Sequence, residues 1–173
     1  MTARTSQQTG RTVRFTITGA ALPKERVRAR IVTPKGKRPF VQLYTPKETR
    51  DYEERIQKLA RRAWGDAETS LRPIELQVTI HVEIPAGWPK WKREAATRGE
   101  ILPTGVPDVD NIVKAVSDAM NGVVYRDDGQ VATVDAVKLY APEGADGFVE
   151  VAVRENYRCG SWISRLLDLV LLR

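Results

Sequence analysis

Cysteine and histidine are nearly missing from this chain of 173 residues, which holds one of each, Cys159 and His81. A lone cysteine excludes an intrachain disulfide and a Cys-rich zinc site, and fits a reducing, intracellular setting. A lone histidine leaves Ser-His-Asp and Cys-His catalysis without economical support. No apolar run is long enough to cross a bilayer, and the opening stretch MTARTSQQTGRT has no apolar signal core. The expectation is a soluble, unexported, cytoplasmic protein with no membrane partner. There is no internal repeat.

What is present suits one folded domain. Hydrophobic residues make up 42% and charged residues 29% of the chain, enough for one good core. Twenty-eight Lys and Arg against 22 Asp and Glu give a net charge of +6, a bias toward polyanionic partners. The charge is unevenly placed. Residues 1–66 hold 16 basic and 6 acidic side chains, whereas residues 101–150 hold 3 basic and 9 acidic. A polyanion-binding chain has no reason to cluster carboxylates unless something offsets their repulsion. Metal ions would do so, as would attraction between the two halves of the fold.

Period-two alternation predicts strands at Val13–Thr18, Leu76–Ile84, Val131–Tyr140 and Phe148–Arg154, and the apolar run Val123–Tyr125 reads as a further short strand. In the second of these His81 falls on the polar side with no Cys or His neighbour, so it reads as a surface or cross-strand residue without chemistry. Thr45-Pro46-Lys47-Glu48 reads as a capping box that starts a helix with Tyr52, Ile56, Leu59, Ala60 and Ala63 on its apolar face, ended by Gly65. A second helix is expected over Asn111–Met120, with Ile112, Val113, Val116, Ala119 and Met120 inward and Asn121-Gly122 at its end. The fold class expected is α/β (α+β): a single domain, a mixed β-sheet with two main helices packed on it.

Two basic segments stand out. Residues 20–44 read as a long loop broken by Pro23, Pro34, Gly36 and Pro39, carrying Lys24, Arg26, Arg28, Arg30, Lys35, Lys37 and Arg38 around Phe40 and Tyr44. Residues 85–107 read as a loop with a short helical turn, mixing Trp88 and Trp91 with Lys90, Lys92, Arg93 and Arg98. Basic side chains interleaved with aromatics suit nucleic acid, though either segment also fits a solvated surface or core plugs.

The acidic region carries the chemistry. Asp108 and Asp110 flank Val109 at the start of the second helix, where free N–H groups favour negative charge. Alone they read as a cap and a surface acid. Lys114 lies four residues beyond Asp110 on the same helical face, and Asp127-Asp128 follow a segment that must return beside the helix. Carboxylates brought together without soft ligands suit Mg²⁺ or Mn²⁺, which keep waters and accept substrate phosphate oxygens. Such an ion would supply the activated water that a histidine-poor chain lacks, and a lysine beside it could steady charge on the phosphate.

PDVDNIVKAVSDAMNGVVYRDDGQV, with LPKERVRAR and YTPKETRDYE upstream and VKLY downstream, resembles RusA-type Holliday-junction resolvases over roughly residues 13–154. The resemblance implies a homodimeric, metal-dependent endodeoxyribonuclease. Proteins of this family cut four-way DNA junctions by paired symmetric nicks in recombination and repair, and are common in phages and prophages. It implies Asp108, Asp110 and Asp128 as metal ligands, Mg²⁺ or Mn²⁺ as cofactor, and Lys114 as the functional lysine. The choice of Asp128 over Asp127 rests on the family register, and Asp127 is taken as a turn residue or a neighbour of the ligands. Asp118 is expected to pair with Lys114, while Asp135, Glu143, Asp146 and Glu150 read as surface acids. Lys24, Arg26, Arg28, Lys35, Lys37, Arg38, Lys90, Lys92 and Arg93 are the candidates for holding DNA. Residues 155–173 lie beyond the resemblance and hold Trp162, Ile163, Leu166, Leu167, Leu169, Val170, Leu171 and Leu172, too short a set to span a membrane. Cys159 has no basic partner evident and reads as inert. The other readings are a non-catalytic accessory protein for branched DNA, and a remote one, sugar transfer through Asp-x-Asp.

Overall fold

The computed structural model describes residues 10–25 and 27–156. The chain runs β1 (Thr12–Thr18), β2 (Arg28–Val32), β3 (Phe40–Tyr44), α1 (Lys47–Trp64), β4 (Ile74–Val82), α2 (Lys90–Thr97), α3 (Val109–Ala119), a 3-10 turn (Asp128–Gln130), β5 (Val131–Tyr140) and β6 (Phe148–Glu155). Four strands form one mixed sheet in the order β1-β6-β4-β5, with β4 and β5 parallel and the other pairs antiparallel. A parallel pair needs a crossover, and here it is the segment that contains α2 and α3. The expected mixed sheet is therefore present, with three helices in place of two.

Alternation decides which face is buried. Register aligns Val13, Phe15 and Ile17 of β1 with Val153, Val151 and Val149 of β6, and these with Leu76, Val78 and Ile80 of β4. Tyr52, Ile56, Ala60 and Trp64 of α1 and Ile112, Ala115, Val116 and Ala119 of α3 complete that core. On the opposite face Arg14, Thr16, Gln77, Thr79 and Glu150 line a shallow cavity of about 320 Å³.

Four expectations need correction. Residues 20–44 are not one loop, because Arg28–Val32 and Phe40–Tyr44 pair as an antiparallel ribbon. Pro34, Gly36 and Pro39, read as breakers, belong to its connection, where Gly36 takes φ 77°. One side of the ribbon carries Ala29, Ile31, Val41 and Leu43, the other Arg28, Arg30, Phe40 and Tyr44. Ile31, Val41 and Leu43 stay exposed, at 75%, 64% and 69%. The capping box is absent: Pro46, with ψ 146°, holds the cap position and makes no side-chain bond, so α1 begins at Lys47. Val123–Tyr125 is not a strand. Val123 and Val124 sit in a turn closed by bonds from both amides to the Met120 carbonyl, and the run is apolar because that turn is buried. Lastly, β4 is shifted two residues toward the N-terminus of its expected span, and Ile84 is buried beyond its end. Residues 157–173, with Cys159 and the apolar set, lie outside the described residues, as does Arg26. Among the described residues no helix is long and apolar enough to cross a membrane.

Candidate active site

The site is built at the start of α3 and the turn that follows its end. Asp108 is the cap residue of α3, with extended backbone at φ −73° and ψ 137°, yet its carboxylate makes no bond to its own helix. Asp110 lies in the first turn. Both are exposed, and no ion pair reaches either carboxylate from the described residues. The segment that delivers Asp108 is held from the sheet: Lys138 of β5 donates to the carbonyls of Gly105 at 2.5 Å and Pro107 at 3.1 Å.

The second arm is the turn from Tyr125 to Gln130. Tyr125 is fully buried and its hydroxyl donates to the Ser117 carbonyl at 2.8 Å, fastening the turn to α3; burial pushes the phenol up from its usual value. Gln130 closes the turn from the other side. Its Oε1 accepts from the Arg126 and Asp127 amides at 2.9 and 3.2 Å, and its Nε2 donates to the Ser70 and Arg72 carbonyls at 3.0 Å each. Asp127 Oδ1 accepts from the Gly129 amide at 2.9 Å. A Cβ at Gly129 would stand 2.8 Å from that oxygen, so the cap needs glycine there. The two neighbouring acids thus part company: Asp127 serves the turn, and Asp128 faces α3.

Asp128 meets Lys114, whose Nζ lies 2.8 Å from its Oδ2 and 2.7 Å from Asp118 Oδ1. Hydrogen bonds that the Lys114 ammonium donates to Asp118 and then to Asp128 hold it well above the usual lysine range. Asp118 also pairs with Lys24, which reaches Glu53 of α1 at 3.2 Å. Burial works to raise the Asp118 carboxyl, but the two lysines outweigh it and hold it below the usual carboxylate range. This alternating chain was only half foreseen. The Lys114 to Asp118 pair follows from helical spacing, whereas Lys24 and Glu53 carry no local signal, because Lys24 and Asp118 stand 94 residues apart.

The donors suit a hard divalent cation, being carboxylate oxygens, two of them unpartnered. Among the described residues no group of three acidic, His or Cys side chains is close enough to hold an ion as it stands. Asp128 Oδ2 is engaged by Lys114, and the three carboxylates would have to draw closer to share an ion.

The basic residues divide into free and engaged. Lys35, Lys37 and Arg38 stand exposed in the connection of the ribbon. Arg28 pairs with Glu25 at 2.6 Å, Lys90 approaches Glu94 at 3.8 Å, and Arg93 meets Glu143 at 3.3 Å. Lys92 lies over the Trp88 ring at 3.7 Å from its centroid, with Trp88 edge-on to Tyr140. Lys24, taken as a DNA contact from sequence, is occupied by Asp118 and Glu53, and its amide donates to the Asn111 carbonyl of α3 at 3.3 Å. The ribbon is thereby rooted beside the acidic helix. His81 is a cross-strand residue, with Nε2 3.0 Å from Glu150 and its ring stacked on Phe148.

Exposed carboxylates at the start of α3 and a third acid bound to Lys114 of the same helix form an oxygen donor set, with exposed basic side chains in the ribbon connection. Comparison with known proteins supplies the class. The family model described as endodeoxyribonuclease RusA matches residues 20–154, and the chain belongs to that family. It is also 32% identical over 146 residues to "Uncharacterized protein YqaN" of Bacillus subtilis (strain 168), covering 83% of this chain and 96% of that protein.

Proposed function

We propose that the protein is a Mg²⁺-dependent, structure-selective endodeoxyribonuclease that resolves Holliday junctions in recombination and repair, making paired symmetric cuts as a homodimer. The observation that carries the reading is the 2.8 Å contact of Lys114 with Asp128. It sets the third acid against the flank of the helix whose start presents Asp108 and Asp110, neither of them ion-paired among the described residues. These three carboxylates are the proposed ligands of Mg²⁺ or Mn²⁺. A cation held there would supply charge neutralisation at the scissile phosphate and activation of water. Lys114 is the proposed cation that steadies negative charge on the phosphate oxygens.

Arg28, Lys35, Lys37 and Arg38 of the ribbon and Lys90, Lys92 and Arg93 at α2 are the proposed DNA contacts, with Phe40 and Tyr44 on the basic side of the ribbon for stacking. The dimer is supported by symmetry, since a two-fold junction offers equivalent strands to a two-fold protein. The exposed apolar side of the ribbon also supports it, because a two-stranded ribbon is marginal without cover.

A second reading, a non-catalytic protein that binds branched DNA, draws on the absence of a ready three-acid group among the described residues. Cleavage of a synthetic four-way junction against linear duplex in Mg²⁺ separates the two. The nuclease reading expects junction-selective cutting that Asp110→Asn abolishes while binding persists. Junction binding without cutting in Mg²⁺ or Mn²⁺ would establish the second reading.

A further inference from the structure

We infer that Asp118 is a positioning residue, which holds the Lys114 ammonium at the mouth of the site, and that Lys24 anchors Asp118 rather than touching DNA. The inference rests on the nuclease reading and names two residues that reading does not use.

Five side chains alternate in sign along one path: Glu53, Lys24, Asp118, Lys114 and Asp128. Asp118 is the least exposed of the five, at 17% of its side chain, and Lys114 the most, at 55%. Asp118 is the sheltered middle, and each of its oxygens takes a different lysine: Oδ1 faces Lys114, Oδ2 faces Lys24. A long lysine side chain with one exposed partner has many rotamers to lose and gains little from the pair. A carboxylate fixed from behind by a second lysine offers it a single place instead.

Of the two carboxylates on Lys114, Asp128 is a proposed ligand and Asp118 is not. Were Asp128 to serve a cation, Asp118 would be the partner that remains. Without Asp118 the ammonium would swing into solvent. With it, the ammonium keeps a fixed partner on the helix face that also carries Asp110. Lys24 in turn ties the root of the ribbon to α3 twice, through its side chain to Asp118 and through its amide to Asn111. The proposed DNA-holding element and the lysine of the site therefore share one half-buried carboxylate.

The test is single-turnover cleavage of a four-way junction at saturating protein, with junction affinity measured separately. Asp118→Asn is expected to lower the cleavage rate about tenfold and to leave affinity within about twofold. In a Lys114→Met background the same substitution should change the rate no further, because Asp118 acts through Lys114. Lys24→Met should reproduce the rate loss and leave the salt slope of binding unchanged, whereas a phosphate contact would lower that slope by about one. An equal rate loss with and without Lys114, an unchanged rate in Asp118→Asn, or a reduced slope in Lys24→Met would overturn the inference. If Asp118→Asn does not fold, Lys24→Met carries the test alone.

A readout without cleavage separates this inference from the nuclease reading. Nitrogen relaxation of the Lys114 ammonium in the DNA-free protein should show it ordered in wild type and in Asp128→Asn, and mobile in Asp118→Asn. Mobility in Asp128→Asn with order kept in Asp118→Asn would overturn the positioning role, whether or not the protein cuts DNA.

Discussion

Gln130 is the most economical place to perturb the site without touching an acid. Its side chain makes four hydrogen bonds to backbone, at 2.9, 3.2, 3.0 and 3.0 Å, joining the turn that bears Asp128 to the segment before β4. Each such bond contributes about 0.5–1.5 kcal/mol net. Three of the four are exposed, so water partly replaces them and the low end applies. Gln130→Ala should therefore cost about 2 kcal/mol, which for a chain of this size lowers Tm by about 4–8 °C. The effect on cutting should exceed what stability explains, since a shift of about 1 Å in a reacting geometry can cost about a hundredfold. Gln130→Glu is the control. It keeps the acceptor for Arg126 and Asp127 but turns a bare oxygen toward the Ser70 and Arg72 carbonyls, so it should destabilise at least as much. Thermal melting by circular dichroism and junction cleavage well below Tm read the two effects. A Gln130→Ala protein that melts within about 1 °C of wild type and cuts at the wild-type rate would refute the claim that this side chain holds the turn.

Three further outcomes follow from named contacts. Tyr125→Phe removes a buried hydroxyl that donates to the Ser117 carbonyl; it should cost about 0.5–1.5 kcal/mol, read by chemical denaturation, because one hydrogen bond is lost while the carbonyl keeps the Met120 amide. Asp118 titrates below its ordinary carboxylate value of 3.8 in the folded chain, so the stability it contributes is fully present above that value and is lost as pH falls through the folded one. The stability difference between wild type and Asp118→Asn should be flat near neutral pH and shrink below about pH 4, and a difference that grew on acidification would contradict the pairing. Replacing Lys35, Lys37 and Arg38 together by alanine should weaken junction binding and reduce the salt slope by about 2–3, measured by titration at several salt concentrations; an unchanged slope would remove the ribbon tip from the DNA surface.

The parts of the fold that were legible in the sequence are those whose side chains obey one period against one core. β1, β4, β5 and β6 alternate because one face of the sheet is buried, and α1 and α3 show a 3.6-residue stripe because each covers that face. The ribbon was not legible although Ala29, Ile31, Val41 and Leu43 do alternate. No described residue covers that side, and arginines and a proline-rich connection gave the segment the composition of a loop. Val123–Tyr125 failed for the opposite reason: a fully buried turn and a buried strand are both continuous apolar runs. At the site, Asp108 and Asp110 were placed by cap position and Lys114 by helical spacing, all local relations. That Asp127 caps the turn while Asp128 faces Lys114 depends on Gly129 and Gln130, and the spacing of two adjacent acids cannot state it. The engagement of Lys24 by Asp118 and Glu53 is a long-range contact, invisible to any window along the chain.

The account stands or falls on three aspartates sharing one divalent cation. Titration of the DNA-free protein with Mn²⁺ by calorimetry tests that most directly. Wild type should bind the ion, Asp108→Asn, Asp110→Asn and Asp128→Asn should each weaken binding at least about tenfold, and Asp127→Asn should not. Mn²⁺ binding that Asp128→Asn leaves intact would contradict the central claim.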